Sequence, residues 1–252
     1  MKSVNVYSLL VVLILASSCK KTVSELTPEP ISFKDSVSFI MNGTKYSFTE
    51  RNTNGIGNRQ VNIKPYAALL SDRDWEYETG GFYWYGDKDS TLYDTFYGFH
   101  SRKDYDTFQI SFSKKFHNNQ LRKSYSTLFV PADNSDLFKL GEQHFAVDLN
   151  LENTMDGISV EFHQPFKATM TSYIPGFSIL INTNLPKTIQ DDSRFEITQV
   201  KRLDDKYYLI EAKFTVNLFD ENAQPYRLEN GFLRIKTGMK VFDPFEPANA
   251  LK

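Results

Sequence analysis

From Lys206 to Phe219 the chain reads KYYLIEAKFTVNLF, with Tyr208, Ile210, Ala212, Phe214, Val216 and Leu218 on alternate positions and Glu211, Lys213 and Asn217 between them. A repeat of two places these sets on opposite faces of a strand, whereas a helix repeats every 3.6 residues and would mix them. The run is therefore half-buried β-structure. DENAQPY follows as a turn, and NGFLRIKTG supplies a partner strand.

The same alternation recurs along the chain. In SVSFIMNGTKYSFT, Val37, Phe39 and Met41 share a face before Asn42-Gly43, and Tyr46 and Phe48 alternate after it. Asn-Gly supplies the two positive-φ residues of a type I′ turn, whose twist suits a hairpin. Phe108, Ile110 and Phe112 alternate in DTFQISFSKKF, as do Ile158, Val160 and Phe162 in GISVEFH. FSILINTNL and FEITQVKR add two more strands, and Val61–Ile63, Trp75–Glu78, Phe82–Tyr85 and Leu92–His100 are further candidates. One short helix is expected near Ser135–Leu140, with Asn134 as its N-cap and Gly141 as its stop. Aromatics make up 15% of the residues, with 21 Phe and 14 Tyr, which favours strands. The fold class is all-β: an antiparallel β-sandwich or open barrel with at most short helices.

The N-terminus is of another kind. Lys2 precedes an apolar run from Leu9 to Ala16, and Ala16, Ser17 and Ser18 lead to Cys19, the only cysteine in the chain. The run falls short of the roughly 18 residues that span hydrocarbon as a helix, and its length suits a processed leader. ASSC followed by KK resembles the lipobox of bacterial lipoproteins, departing from it in having Ala16 three residues before the cysteine. The alternative is a plain secretory leader with an incidental cysteine. The lipobox implies a thioether from Cys19 to diacylglycerol, a two-chain anchor. Residues 1–18 are then signal peptide, 19–35 a polar tether containing Pro28 and Pro30, and 36–252 a single β-sandwich domain.

Charge and motifs narrow the functions. The net charge is −2, and acids and bases are interspersed, so no basic stripe marks a nucleic-acid partner. His100, His117, His144 and His163 fall at no metal-ligand spacing. Asp87 and Asp89 begin a D-x-D run, but Leu92 and Gly98 stand where a calcium loop needs Gly and Glu. PGFSIL lacks the second glycine of a nucleophile elbow. Asp72/Asp74, Asp191-Asp192 and Asp204-Asp205 lie among polar turn residues, where Asp is favoured for its own reasons. No catalytic residue, cofactor or metal is assigned, and the expectation is a protein that is not an enzyme.

The densest candidate for binding is DWEYETGGFYWYGDKDSTLYDTFYGFH. Phe82 and Trp84 point one way from a strand and Tyr83 and Tyr85 the other, so a single core cannot take both pairs. Trp75, Tyr77, Tyr83, Trp84 and Tyr85 are candidate ligand-binding residues, because aromatic faces stack on sugar rings. The competing reading is cross-strand packing within the sandwich.

FIMNGTKYSF after a lipobox and tether resembles the opening of many Bacteroidota lipoproteins of unknown function. GISVEFH and the stretch from FEITQV to GFLRIK resemble their central and closing strands. Residues 60 to 150 fall outside the likeness. The resemblance implies a β-sandwich and an outer-membrane lipoprotein, and it carries no activity. The basic residues Lys20 and Lys21 after Cys19, where surface-exported members carry acids, point to the periplasmic face rather than the cell surface. DSV at Ser36 and DST at Ser90 resemble the O-glycosylation sequon of the same bacteria. The expectation is an envelope protein anchored through Cys19 that binds a ligand, glycan first. The alternatives are an accessory protein docking another envelope protein, and an unrecognised hydrolase.

Overall fold

A computed structural model describes residues 34–49, 60–65, 88–123, 129–148, 156–174 and 185–239, all within one compact unit that begins at Lys34. Among the described residues thirteen strands run in chain order: β1 (Ser36–Met41), β2 (Thr44–Phe48), β3 (Gln60–Pro65), β4 (Ser90–His100), β5 (Thr107–His117), β6 (Arg122–Lys123), β7 (Phe129–Val130), β8 (Gly141–Gln143), β9 (Gly157–Gln164), β10 (Ala168–Thr171), β11 (Arg194–Arg202), β12 (Tyr207–Phe219) and β13 (Pro225–Gly238). Two wings account for eleven of them. One wing is ordered β8-β11-β12-β13-β1-β2, the other β10-β9-β5-β4-β3, and β6 pairs with β7 in a separate two-stranded sheet. All pairings between strands are antiparallel. The wings meet where β12 outruns β11: β11 pairs with β12 as far as Thr215, and Thr171 of β10 then pairs with Phe219. The all-β class and the open sheet agree with the sequence reading.

The core lies between the wings. Val37, Phe39 and Met41 on β1 and Ile210, Ala212, Phe214, Val216 and Leu218 on β12 are buried from one side; Phe108, Ile110 and Phe112 on β5 and Ile158, Val160 and Phe162 on β9 are buried from the other. Phenylalanine rings make the seam. Phe39 lies 5.3 Å from both Phe108 and Phe162, Phe108 lies 6.2 Å from Phe214, and Phe112 lies 6.0 Å from Phe195. Such pairs contribute about 0.5–1.5 kcal/mol each beyond their buried area. Residues between 88 and 148 share this core through Tyr93, Tyr97 and Phe99.

Two buried tyrosines tie the wings by polar contacts. Tyr97 shares a 2.5 Å hydrogen bond with Thr237 Oγ1 of β13. Tyr93 donates to Asn134 Oδ1 at 2.7 Å, and the Asn134 amide donates to the Gly238 carbonyl at 3.1 Å. This corrects the expected helix: Ser135–Leu137 is one turn of 3₁₀ helix, and Asn134 makes no side-chain cap. Asp133 caps it instead, accepting from Ser135 N–H at 2.8 Å. The Asn134 Oδ1 is engaged by the Tyr93 hydroxyl rather than by an N–H of the turn. Gly141, the expected helix stop, opens β8 at φ +102.

The Asn42-Gly43 turn stands as expected, with φ values of +50 and +74. Asn230-Gly231 looks like the same signal but lies inside β13. There the register shifts against both neighbours, between Phe214 and Val216 on β12 and between Ser38 and Ile40 on β1. Asn230, at φ +51, occupies a β-bulge that bends the strand, so β13 extends back to Pro225. Gly231 faces Phe214 across the ladder, and a Cβ on it would lie 2.3 Å from the Phe214 ring. Phe214 cannot swing away, being stacked on Phe195 at 6.0 Å. Gly231→Ala is therefore expected to cost about 1–3 kcal/mol of stability by overpacking. For a domain of this size that lowers the melting temperature by roughly 2–4 °C per kcal/mol. Adding Phe214→Leu should recover part of the loss, and additive losses in thermal melts would refute the clash.

Candidate functional site

At one end of the β9–β5–β4 sheet, four separate elements line a small open cleft of about 60 Å³. β5 supplies Phe112, Ser113 and Lys114; the start of β9 and its approach supply Asp156, Gly157 and Ile158; β8 and its exit supply Gln143 and His144; the 3₁₀ turn supplies Asp136 and Leu137. Gly157 makes this approach feasible. It adopts φ +115, and a Cβ there would fall 2.5 Å from the His144 carbonyl oxygen. Without one, Ile158 N–H donates to His144 O at 2.8 Å and Ala146 N–H donates to Ile158 O at 2.9 Å.

Apolar and polar side chains both line the cleft. Asp156 Oδ1 accepts from the backbone N–H of Lys115. Gln143 donates its amide to the Lys139 carbonyl at 2.9 Å, which leaves Oε1 as its acceptor. Asp136 lies 2.7 Å from Lys139 Nζ. That hydrogen bond, outweighing partial burial and helped by the charge of Lys114, holds the Asp136 carboxyl below the usual carboxylate range. Ser113 is buried, and its Oγ has no hydrogen-bond partner. Among the described residues no three His, Cys, Asp or Glu side chains converge to hold a metal ion. Donors and acceptors of both charges beside apolar side chains suit a polar ligand with a hydrophobic face.

The same sheet has an unusual outward face. Ser111 and Ser159 are directly paired, Asp94 pairs with Ser113, and Gln109 pairs with Glu161, all pointing away from the core. Ser111, Ser113 and Ser159 are nonetheless buried, and the Oγ atoms of Ser113 and Ser159 find no partner. On this face Tyr173 donates to Glu161 Oε1 at 2.9 Å. Burial first, and then the Glu161 charge and that hydrogen bond, push the Tyr173 phenol well above its ordinary value.

The sequence-derived candidates distribute unevenly. Cys19, Asp87 and the aromatic set Trp75, Tyr77, Tyr83, Trp84 and Tyr85 lie outside the described residues, as do the PGFSIL and Asp72/Asp74 motifs and Phe177–Asn184 of the FSILINTNL strand. The ends of the chain that carries the aromatics are placed. Pro65 pairs with Thr91 and Lys64 with Leu92, so the segment leaves and returns at one end of β3–β4. Leu92 pairs with Lys115, whose N–H is held by Asp156. Cleft and aromatic connection therefore lie toward the same end of the sheet, the lining residue Lys114 pairing with Tyr93, two residues along β4 from the Thr91 that pairs with Pro65.

Ser90 is a correction. It opens β4, pairs with His117 and is 3% exposed, so a glycan has no room on it in the folded domain. Ser36 is half-buried in β1, paired with Arg234. The acid pairs are turn staples. Asp204 accepts from the N–H groups of Lys206 and Tyr207 at 2.7 and 2.8 Å. Asp192 holds Arg227 at 2.9 Å and the Asn217 amide at 2.6 Å. His163 contacts Thr169 Oγ1 at 2.8 Å, and His117 caps the 3₁₀ turn at Asn118–Gln120. The cleft residues Ser113, Lys114, Asp136, Gln143 and Asp156 were missed by sequence reasoning; only Asp156-Gly157, a turn dipeptide, carried a signal. Protein-family models, curated protein sequences and solved structures were all compared with the chain, and none matches.

Because the Tyr173 phenol is raised in the folded state, its contribution is complete below its unfolded value near 10 and is lost as pH rises above it. The free energy of urea unfolding should therefore fall above pH 10 more steeply in the wild type than in Tyr173→Phe. Parallel curves would remove Tyr173 from the alkaline transition.

Proposed function

We propose that this chain is a lipid-anchored protein of the bacterial cell envelope, held to the outer membrane through Cys19 on its periplasmic face, and that it binds a glycan without catalysis. One observation supports the binding reading: an open cleft lined by apolar and polar side chains lies toward the same end of the sheet as both ends of the segment containing Trp75 and Trp84. Asp156 and Gln143 offer hydrogen bonds to hydroxyls, Phe112 and Ile158 offer apolar surface, and the tyrosines and tryptophans offer stacking planes. The envelope placement rests on the leader, the ASSC motif and the resemblance to Bacteroidota lipoproteins.

Trp75 and Trp84 are the only tryptophans, so intrinsic fluorescence reports on their segment. The compact unit from Lys34 contains the entire described core, so a chain begun at Lys20 keeps the fold. Titrated with a panel of polysaccharides and oligosaccharides, it is expected to show a saturable emission shift with one glycan class. Tyr83→Ala/Tyr85→Ala should abolish that shift. Gln143→Ala/Asp156→Ala should weaken affinity about tenfold, the equivalent of ~1.4 kcal/mol. A flat response across the panel overturns the glycan reading in favour of docking to another envelope protein. Conversion of a glycan during the titration would instead establish a hydrolase.

A further inference from the structure

Opposite the cleft, the same wing ends in two hairpin loops, residues 101–106 between β4 and β5 and residues 165–167 between β9 and β10. They are neighbours: Thr107 pairs with His163, and the buried Gln164 side chain donates to Asp106 Oδ2 at 3.1 Å. Each displays an aromatic ring to solvent. Tyr105 is 73% exposed and Phe166 fully exposed, two of the four large exposed hydrophobic side chains among the described residues.

Both rings sit on unfavourable backbone. Tyr105 has φ +58 and Phe166 φ +61, a region in which bulky side chains are rare. Lys167 N–H donates to Gln164 O at 3.1 Å, which makes Phe166 the residue after proline in a four-residue turn. With positive φ that position selects Gly or Asn. Tyr105 closes its own loop through a 3.0 Å bond to Ser101 O. Packing within the domain cannot repay this strain, since the rings project outward. Around them Arg102, Lys103, Lys167 and His163 are exposed, against one exposed acid, Asp104; Asp106 is buried.

We infer that these tips dock onto an anionic lipid surface, the Phe166 and Tyr105 rings entering the headgroup boundary while Arg102, Lys103 and Lys167 meet lipid phosphates. Convex tips ending in aromatics fit a soft interface rather than a pocketed partner. Aromatic rings favour the bilayer–water boundary, and basic side chains lay their stems along apolar surface with the charge towards headgroups. The docking stands on the two loops alone, independently of Cys19 acylation and of glycan binding.

The chain begun at Lys20 is sedimented with phosphatidylethanolamine–phosphatidylglycerol vesicles and with phosphatidylcholine vesicles. Binding to the first and little to the second is expected. Tyr105→Gly/Phe166→Gly tests the rings without endangering the fold, because glycine suits both φ values. Its melting temperature should equal or exceed the wild type's while vesicle partitioning falls about tenfold. Lys103→Glu/Lys167→Glu should remove the preference for phosphatidylglycerol. Absence of wild-type binding to anionic vesicles overturns the proposal, and so does binding undiminished by the glycine variant. A glycine variant that melts well below wild type would make the rings structural and overturn it equally.

Discussion

Among the described residues the two wings share one strand pairing, Thr171 with Phe219, and the short crossing of His144 and Ala146 with Ile158, so ladder hydrogen bonds contribute little to holding them face to face. Ring contacts do that work: Phe162 of β9 meets Phe39, Tyr46 and Phe48, and Phe108 is its counterpart on β5. It touches Phe39 and Phe48 from the β1–β2 hairpin and Phe214 from β12, joining three strands of the opposite wing to β5. Phe112 repeats the arrangement against Phe195 of β11. The domain contains no cysteine, so no disulfide shares the task. Truncating a buried phenylalanine costs about 3–5 kcal/mol, a large part of the 5–15 kcal/mol by which domains are stable. The high phenylalanine content follows from this architecture: wide sheets joined along one corner need large, flat side chains to fill the seam.

That seam also decides where polar chemistry goes. Tyr93 and Tyr97 extend it towards β13 with hydroxyls satisfied by Asn134 and Thr237. Beyond them the sheet end is left to Lys114, Asp136, Gln143 and Asp156, around the Gly157 crossing. A cleft fixed by strand ends and one obligatory glycine is held by the core, so its geometry exists before any ligand arrives. Under the binding proposal, preorganisation of this kind reduces the ordering cost of association.

Legibility from sequence followed the range of the interaction. The Asn42-Gly43 hairpin and the faces of β5, β9 and β12 were readable, because turn dihedrals and period-two alternation are local. Asn230-Gly231, read as the start of a strand, is instead a bulge inside one, because β1 and β12 both pair with β13 on each side of it. Asn134 has a cap residue's chemistry but was claimed by Tyr93, a partner 41 residues away. Ser90 looked like a loop serine until its pairing with His117 buried it. The cleft was invisible because its members come from four elements. Tyr105 and Phe166 were invisible for the opposite reason: pattern rules place glycine or asparagine at such φ values, so an aromatic there gives no warning.

The antiparallel clasp of Pro65 on Thr91 bears on the length of the connection it closes. It already brings both ends of the aromatic connection together, so the closure entropy of that segment grows only as the logarithm of its length, about 0.6 kcal/mol for each doubling. Lengthening the connection therefore adds little closure entropy to folding, whereas each phenylalanine of the seam is fixed by its ring contacts. Under the binding proposal, this connection is where a change of length would alter recognition at least closure cost.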